Sequence, residues 1–266
     1  MTGHLTKIEG QAGAHRQFRY FDFMMAAFVT ILLLSNVIGA AKQAQIDLPL
    51  FGTITFGAGV LFFPVDYVLG DVLTEVYGYA HARRCIWAGF VALIFMVFMS
   101  VVVVNIPAAP DWAIASGDYI VNGKHVTAPN QAAYESLFGQ TPRIVFASLI
   151  AFWCGEFVNS FVMAKMKIWT SARYLWTRTV GSTIVGEGVD SALFYPLAFL
   201  GVAGWTTHAV IALAITQWVV KTVWEVVLTP VTYAIVGFLK RREGVEVFDT
   251  DTDFSPFARI AGAKGR

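Results

Sequence analysis

Six long apolar stretches follow one another along the chain, separated by shorter polar segments. A helix needs about 20 consecutive apolar residues to cross the hydrocarbon core of a bilayer, so runs of this length predict membrane-spanning helices. Hydropathy windows of about 20 residues give spans at 20–41, 55–77, 85–108, 144–165, 180–202 and 208–238. The pattern therefore predicts an all-α, polytopic integral membrane protein with six transmembrane helices.

Composition agrees with this interpretation. Of the 266 residues, 56% are hydrophobic and 14% are charged, and the mean hydropathy is +0.60. Such a chain is too apolar for an ordinary soluble domain and too long for one or two spans. Cys85 and Cys154 fall at or within predicted spans, which favours packing roles over a disulfide or a metal site. The first apolar run lacks a small-residue cleavage site, so we expect no removable signal peptide.

The distribution of basic residues predicts the orientation, because Lys and Arg near span ends are retained in the cytoplasm. Fifteen of the nineteen basic residues lie on the side of the two termini. The other four are Lys42, Lys124 and Arg143 on the opposite side, and Lys221 within the sixth span. Both termini are therefore expected in the cytoplasm.

This topology divides the chain into a cytoplasmic N-terminal segment (1–19), a six-helix transmembrane domain (20–239) and a cytoplasmic C-terminal tail (240–266). The tail starts with a basic cluster and continues with acidic residues. This pattern predicts an anchor close to the membrane followed by a disordered end.

The external segment 109–143 contains an amphipathic piece from Asn130 to Phe138, bounded by Pro129 and Pro142. We predict a short helix here, lying over the mouth of the bundle. It is either a lid or a connector.

A short polar module occurs twice within the predicted spans. Gly-Glu-Phe-Val-Asn-Ser at residues 155–160 returns as Gly-Glu-Gly-Val-Asp-Ser at residues 186–191. Each copy places a carboxylate, Glu156 or Glu187, three residues before Asn159 or Asp190. A helix brings residues at this spacing onto one face. Since polar groups inside a membrane are costly, a repeated polar face indicates a functional site.

The spans carry many more acids than bases. The acids are Asp66, Asp71, Glu75, Glu156, Glu187, Asp190 and Glu225, and the base is Lys221. Internal ion pairs cannot neutralise all seven acids, so some must be protonated, hydrated or paired with a bound cation.

A polar stripe on the sixth span completes a candidate pocket. Gln217, Lys221 and Glu225 follow one another at intervals of four residues on an otherwise apolar helix, so the stripe must face inward. We expect it to meet the two polar modules at one central pocket. In the alternative without a ligand, Lys221 pairs with Glu187 or Glu225, and hydrogen bonds from Asn159 and Ser160 join the helices.

For several other residues the sequence allows either a structural role or a place in the pocket lining. Asp71 either lines the pocket or stabilises the bundle, Glu75 either lines it or pairs with Arg83 and Arg84, and Asn36 either joins helices or lines it. Trp153, Trp218 and Trp224 lie next to the polar positions and are the candidate stacking surfaces for a planar ligand.

A set of short motifs runs from Ser35-Asn36 to Gly201 and includes Arg83-Arg84, Thr141-Pro142-Arg143, Lys165-Met166-Lys167 and Trp176-Thr177-Arg178. The most specific of them are Gly-Asp-Val-Leu-Thr-Glu-Val-Tyr-Gly at 70–78 and the second polar module, followed by Phe194-Tyr195-Pro196. In these motifs the chain resembles the queuosine precursor transporter family, formerly grouped with vitamin uptake transporters. Some members of the family have Gln in place of Glu156 and Asp in place of Asn159.

The resemblance implies import of 7-cyano- and 7-aminomethyl-7-deazaguanine, precursors of a modified tRNA nucleoside, across a bacterial inner membrane. Carboxylates can accept the N–H donors of such a base, and amide or ammonium groups can donate to its carbonyl. Glu156, Glu187 or Asp190 would serve the first role, and Asn159, Gln217 or Lys221 the second. Transport would proceed by alternating access, either coupled to protons or by facilitated diffusion.

Two other functions compete with this one. The chain could be the substrate-binding subunit of an ATP-driven importer, which would need partner ATPases because the sequence has no Walker motif. An intramembrane enzyme is less favoured, because the sequence lacks His-Glu-x-x-His and Gly-x-Ser-x-Gly motifs. We therefore expect no catalytic residue, cofactor, metal or nucleic-acid partner. Small residues on several spans leave room for a homo-oligomer.

Overall fold

The computed structural model of the chain describes residues 6–9, 17–39, 43–48, 52–57, 59, 62–114, 116–121, 123–139 and 142–258. Its α-helices are α1 (Phe21–Leu34), α2 (Phe63–Tyr77), α3 (Tyr79–Val104), α4 (Pro110–Ile114), α5 (Asn130–Phe138), α6 (Pro142–Trp169), α7 (Leu175–Phe199) and α8 (Thr207–Glu243). A π-helical turn, Ser35–Gly39, follows α1 directly. The main body of the protein is thus all-α, as predicted.

Short strands form three two-stranded pairs at the edges of this helical body. The strands are β1 (Thr6–Glu9), β2 (Gln43–Leu48), β3 (Gly52–Gly57), β4 (Ser116–Val121), β5 (Lys124–Pro129) and β6 (Val245–Phe248). β2 pairs with β3 and β4 with β5, both antiparallel, whereas β1 pairs with β6 in parallel. The β1–β6 pair brings the two terminal regions of the chain together.

Among the described residues, four segments are long and apolar enough to cross a membrane. They are Phe21–Ile38, Tyr79–Val104, Asn130–Trp169 and Thr207–Glu243. Helices α2 and α7 are not in this group, although each lies within or close to a predicted span. The 15 residues of α2 make a helix of roughly 22 Å, shorter than the hydrocarbon core. Several charged side chains interrupt α7.

Helix α2 lies at the centre of the bundle. Every residue from Asp66 to Tyr77 is buried, and α2 packs against α1, α3, α6 and α8. Because protein surrounds it, α2 can be short and can carry carboxylates that lipid would not tolerate. The other dominant contact is between α6 and α7, the two helices that carry the polar modules.

The structure corrects several predicted boundaries. Residues 55–57, assigned to the second span, belong to β3, and α2 begins only at Phe63. Helix α3 begins at Tyr79 rather than 85, because the single residue Gly78, at φ 82°, separates α2 from α3. Helix α8 continues past residue 239 to Glu243. The predicted helix from Asn130 to Phe138 is confirmed as α5.

The C-terminal tail is ordered through residue 258, contrary to the disordered end that we expected. Beyond β6, Asp249 accepts hydrogen bonds from the Tyr79 main-chain N–H at the start of α3, at 3.2 and 3.1 Å. The Trp87 indole N–H donates to the Pro256 carbonyl at 2.9 Å. The tail therefore lies along the first turns of α3. Residues 1–5, 10–16 and 259–266 of the two terminal segments, and Lys42, lie outside the described residues.

Candidate functional site

Polar side chains from four helices meet inside the bundle. We call this group the central polar cluster; its members are Asp66, Tyr67 and Asp71 on α2, Glu156 and Asn159 on α6, Ser182, Glu187 and Asp190 on α7, and Gln217, Lys221 and Glu225 on α8. All but Asp190 are buried. The inward stripe on α8 is confirmed, because Gln217, Lys221 and Glu225 are buried while most of their neighbours on this helix are not.

Asp71 joins three helices of the central polar cluster. Asn159 donates from Nδ2 to Asp71 Oδ1 at 2.9 Å, and the Ser182 hydroxyl reaches the same oxygen at 3.3 Å. The second oxygen, Oδ2, is buried without a hydrogen-bond partner among the described residues. Asp71 therefore belongs to the cluster, and it retains one acceptor for another group.

Lys221 neutralises part of the second polar module. Its Nζ donates to Glu187 Oε2 and to Asp190 Oδ2, both at 2.8 Å. The ammonium group also lies 5.2 Å from the centroid of the Phe63 ring, within cation–π range. Lys221 is thus fully engaged by α7 and α2.

Glu156 of the first polar module, unlike Glu187, has no basic side chain bound to it among the described residues. It is fully buried at 0% exposure, and within the described part of the chain neither carboxyl oxygen has a hydrogen-bond partner. A β-carbon on Gly70 would lie 2.8 Å from Glu156 Oε2, so this carboxyl group occupies the space that the glycine leaves open on α2. Glu225 shows the same lack of partners at 1% exposure.

The two polar modules contact each other reciprocally. A β-carbon on Gly186 would lie 2.7 Å from Asn159 Cβ, and one on Gly155 would lie 3.0 Å from Asp190 Cβ. The first residue of each copy therefore packs against the fifth residue of the other. Such pairing is what a local two-fold axis between antiparallel helices produces. The repeat in the sequence is thus a repeat in space, and small residues permit the close approach.

Of the three tryptophans predicted to stack on a ligand, one lies close to the second polar module and two lie elsewhere. Trp218 donates from its indole N–H to the Ile184 carbonyl at 2.9 Å and lies beside Gly188, close to the second module. Trp153 packs instead in an aromatic group with Trp87, Phe157 and Phe257. Trp224 is 37% exposed on the outer face of α8. The spacing along the sequence brought each near a polar residue, but only Trp218 lies on the matching helix face.

Asn36 lies apart from the central polar cluster. Its Nδ2 donates to the Leu32 carbonyl at 2.8 Å, and its Oδ1 accepts from the Ser148 hydroxyl at 3.3 Å. Together with Leu137 and Phe138 of α5 it lines a separate small cavity of about 40 Å³. Asn36 therefore connects α6 with the turn that follows α1.

A second ionic group, which sequence analysis did not anticipate, closes one end of the bundle. We call it the terminal ion cluster: Glu75, Lys167, Arg178, Lys240 and Glu246. Arg178 binds both oxygens of Glu75, at 2.8 and 2.7 Å, and Lys240 reaches Glu75 at 2.5 Å. Lys167 donates to the Glu75 carbonyl, and its Nζ lies 2.7 Å from Glu246.

The predicted alternative in which Glu75 pairs with Arg83 and Arg84 is therefore wrong. Arg83 instead donates to the main-chain carbonyls of Asp253 and Ser255 in the tail, at 2.8 and 3.0 Å. In the same region burial raises the pKa of Asp249, although hydrogen bonds from Thr252 and Tyr79 oppose this shift. The tail thus binds Arg83, and Arg84 lies over the Phe21 ring of α1, 5.5 Å from its centroid.

Residues 57–235 match the family described as "Putative vitamin uptake transporter". The chain belongs to this vitamin uptake transporter family. The chain is also similar to the "Probable queuosine precursor transporter" of Bacillus subtilis (strain 168). The two sequences are 30% identical over 197 residues, which is 73% of this chain and 77% of the relative. No solved structure gives a significant match. The family and the relative identify the chain as a multi-pass membrane transporter and confirm the resemblance seen in its motifs.

The site proposed from the sequence left out Asp66, Tyr67 and Ser182, which the structure places in the central polar cluster. Asp66, Tyr67, Gly70 and Asp71 follow the helical spacing of one face, and this signal was present in the sequence. Among the described residues, no three His, Cys, Asp or Glu side chains are grouped so that they could hold a metal ion.

Proposed function

We propose that this protein imports 7-deazaguanine bases, the 7-cyano and 7-aminomethyl precursors of queuosine, across a bacterial inner membrane. The name of the Bacillus subtilis relative supports this substrate class. The observation that carries the proposal is the buried Glu156 carboxyl group, which lacks a partner among the described residues, beside Asp71 and Asn159. A transporter has a reason to keep such a group without a partner, because its substrate supplies one.

The contacts within the central polar cluster narrow the roles of its members. Glu187 and Asp190 are held by Lys221, which leaves Glu156 as the acceptor for the N–H donors of the base. The Asn159 amide nitrogen is bound to Asp71, so Gln217, one turn before Lys221 on the buried face of α8, is the donor we assign to the carbonyl of the base. Trp218 offers a stacking surface on the same side.

The proposed topology has six membrane crossings, with α2 and α7 spanning as enclosed members of the bundle. The excess of basic residues at the end with the β1–β6 pair supports a cytoplasmic location for that end. The terminal ion cluster then closes the cytoplasmic side beneath the central polar cluster. Alternating access would open this closure and the opposite end of the bundle in turn.

A bacterial strain unable to synthesise the precursor tests the proposal. Cells expressing the protein and supplied with 7-cyano-7-deazaguanine should form queuosine in their tRNA. Glu156→Ala should reduce this signal by at least about tenfold, because a buried binding interaction of about 1.4 kcal/mol or more is lost. The matched control is Glu135→Ala on the exposed face of α5, with both proteins quantified in the membrane. Equal uptake by the two variants would refute the site.

Uptake by the purified protein in liposomes separates this mechanism from an ATP-driven importer. An importer subunit would need ATPase partners, whereas the proposed transporter carries labelled base with no other protein present. A requirement for added ATPase subunits would replace this proposal with the alternative one.

A further inference from the structure

The central polar cluster contains more carboxyl groups than it can hold as anions. Its six carboxyl groups are Asp66, Asp71, Glu156, Glu187, Asp190 and Glu225, and Lys221 is the base that the described residues place among them. Lys221 is already bound to two of the six. Five net negative charges in a buried volume would repel one another strongly, because the low dielectric of the interior screens them poorly. Protonation of some of these carboxyl groups removes this repulsion without any further ligand.

Glu156 has the surroundings least able to hold a negative charge. The ionisable groups that face it are Asp66, Tyr67 and Asp71 on α2 and Glu187 and Asp190 on α7. On α8, Lys221 binds Glu187, and Glu225 lies toward Asp71 and Glu187. Lys221 is directed at the two acids of α7. Both oxygens of Glu156 lack a donor within the described part of the chain, so nothing there compensates an anion.

The two copies of the polar module differ in how their glutamates are neutralised. Glu156 and Glu187 hold the same position in two copies of one module that pack reciprocally through Gly155 and Gly186. Glu187 has an ammonium group at 2.8 Å, whereas Glu156 has the main chain of Gly70. One copy is thus neutralised by a resident cation, and the other can be neutralised by a proton.

A neutral carboxyl group also fits the proposed substrate. It presents an O–H donor beside a carbonyl acceptor, and the lactam edge of a guanine-like base presents a carbonyl beside an N–H. The two can form a paired donor–acceptor contact in which every hydrogen bond is satisfied. At this lactam edge an ionised carboxylate would place a negative oxygen opposite the carbonyl of the base, so it could pair only with the neighbouring N–H donors.

We infer that Glu156 is the proton carrier of this transporter: it takes a proton from the external side, binds the lactam edge of the base as a neutral acid, and releases proton and base together into the cytoplasm. This inference rests on the proposed import function. With the neutral 7-cyano base, one proton enters with each molecule, so the cycle returns Glu156 to its starting state and moves one positive charge inward.

Purified protein in liposomes provides the test, with labelled 7-cyano-7-deazaguanine as a probe that carries no titrating amine. The membrane potential is clamped with potassium and valinomycin, and the outside is made one pH unit more acidic than the inside. The wild-type protein should accumulate the base up to about tenfold, since one pH unit is equivalent to a tenfold ratio. Exchange of labelled for unlabelled base is measured separately without a gradient.

Glu156→Gln is the decisive variant, because the amide keeps a donor beside an acceptor but cannot release a proton. We expect its exchange to persist, changed by a few-fold, while accumulation driven by the pH gradient is lost. Glu156→Ala should lose both activities. Glu135→Gln, the same chemical change on exposed α5, should accumulate the base as the wild-type protein does.

Each other outcome overturns the inference in a recognisable way. Wild-type exchange without accumulation would show a transporter that is not coupled to protons, leaving the import function intact. Accumulation retained in Glu156→Gln but lost in Glu225→Gln would assign the proton to α8. Absence of both exchange and accumulation from folded, membrane-inserted wild-type protein would instead refute the import function itself.

Discussion

Gly155 and Gly186 each pack against the backbone of the other. A β-carbon on Gly155 would lie 3.2 Å from the Gly186 carbonyl oxygen, and one on Gly186 would lie 3.1 Å from the Gly155 carbonyl oxygen. This contact fixes the distance between α6 and α7 and therefore the relative positions of Glu156 and Glu187. Helix packing and the chemistry of the site thus depend on the same two glycines.

Gly186→Ala should destabilise the protein by about 1–3 kcal/mol, because the new methyl group overpacks the interface against Asn159. Thermal unfolding in detergent measures the change. The matched control is Gly237→Ala in α8, where the nearest heavy atom to the new β-carbon is 3.7 Å away. There the helix should gain up to about 1 kcal/mol, since alanine favours helix over glycine. Equal effects at the two positions would contradict the close contact.

Loss of the Lys221 ammonium group should strongly destabilise the folded protein. Lys221→Met leaves Glu187 and Asp190 without their buried partner, which costs about 3–5 kcal/mol when a pair is broken from one side. The melting temperature and the amount of folded protein should both fall. Lys124→Met, at an exposed position, should leave both unchanged. Adding Glu187→Gln and Asp190→Asn to Lys221→Met should recover much of the stability, and failure to recover it would refute the charge argument.

The paired Glu75 and Arg178 side chains should be energetically coupled. A double-mutant cycle with Glu75→Gln and Arg178→Met should give an interaction energy of about 0.5–3 kcal/mol, because the two side chains share two hydrogen bonds. Unfolding of the four proteins in detergent provides the values. A cycle that pairs Glu75→Gln with Arg173→Met, an exposed residue, serves as the control and should be additive.

Asp249 should protect the first turn of α3 from hydrogen exchange. Asp249→Ala removes the acceptor for the Tyr79 amide, so this amide should exchange at least about fivefold faster, as expected for a lost cap of about 1 kcal/mol. Asp251→Ala, an exposed position two residues away, is the control. Asp249→Asn keeps an acceptor and should restore part of the protection. Unchanged exchange in Asp249→Ala would mean that the tail does not cap α3.

Much of the helical body could be predicted because apolar runs of about 20 residues have few other structures. The two modules were visible as well, since Glu156 and Glu187 repeat with their neighbours. The start of α2 could not be predicted, because hydropathy alone does not distinguish a short strand at residues 55–57 from the first turn of a membrane helix.

The partners of the buried charges were not predictable from one sequence. Arg178 lies 103 residues from Glu75, and Arg83 is only eight residues from it, so proximity along the chain favoured the wrong pair. Identifying Arg178 as the partner of Glu75 requires knowing how α2 and α7 are placed in the folded bundle. Likewise Trp153 and Trp218 both flank polar positions, and only helix orientation separates them.

The enclosure of α2 has a consequence for how the protein is made. A helix of this length, carrying Asp66, Asp71 and Glu75, would be rejected by the insertion machinery as an isolated segment, since each acid at mid-membrane costs about 2.5–3.5 kcal/mol. In the proposed six-crossing topology, helices α1 and α3, which pack against it, would have to retain α2 while the chain is being synthesised. Weakening either neighbour should then leave α2 outside the bilayer and invert the segments that follow.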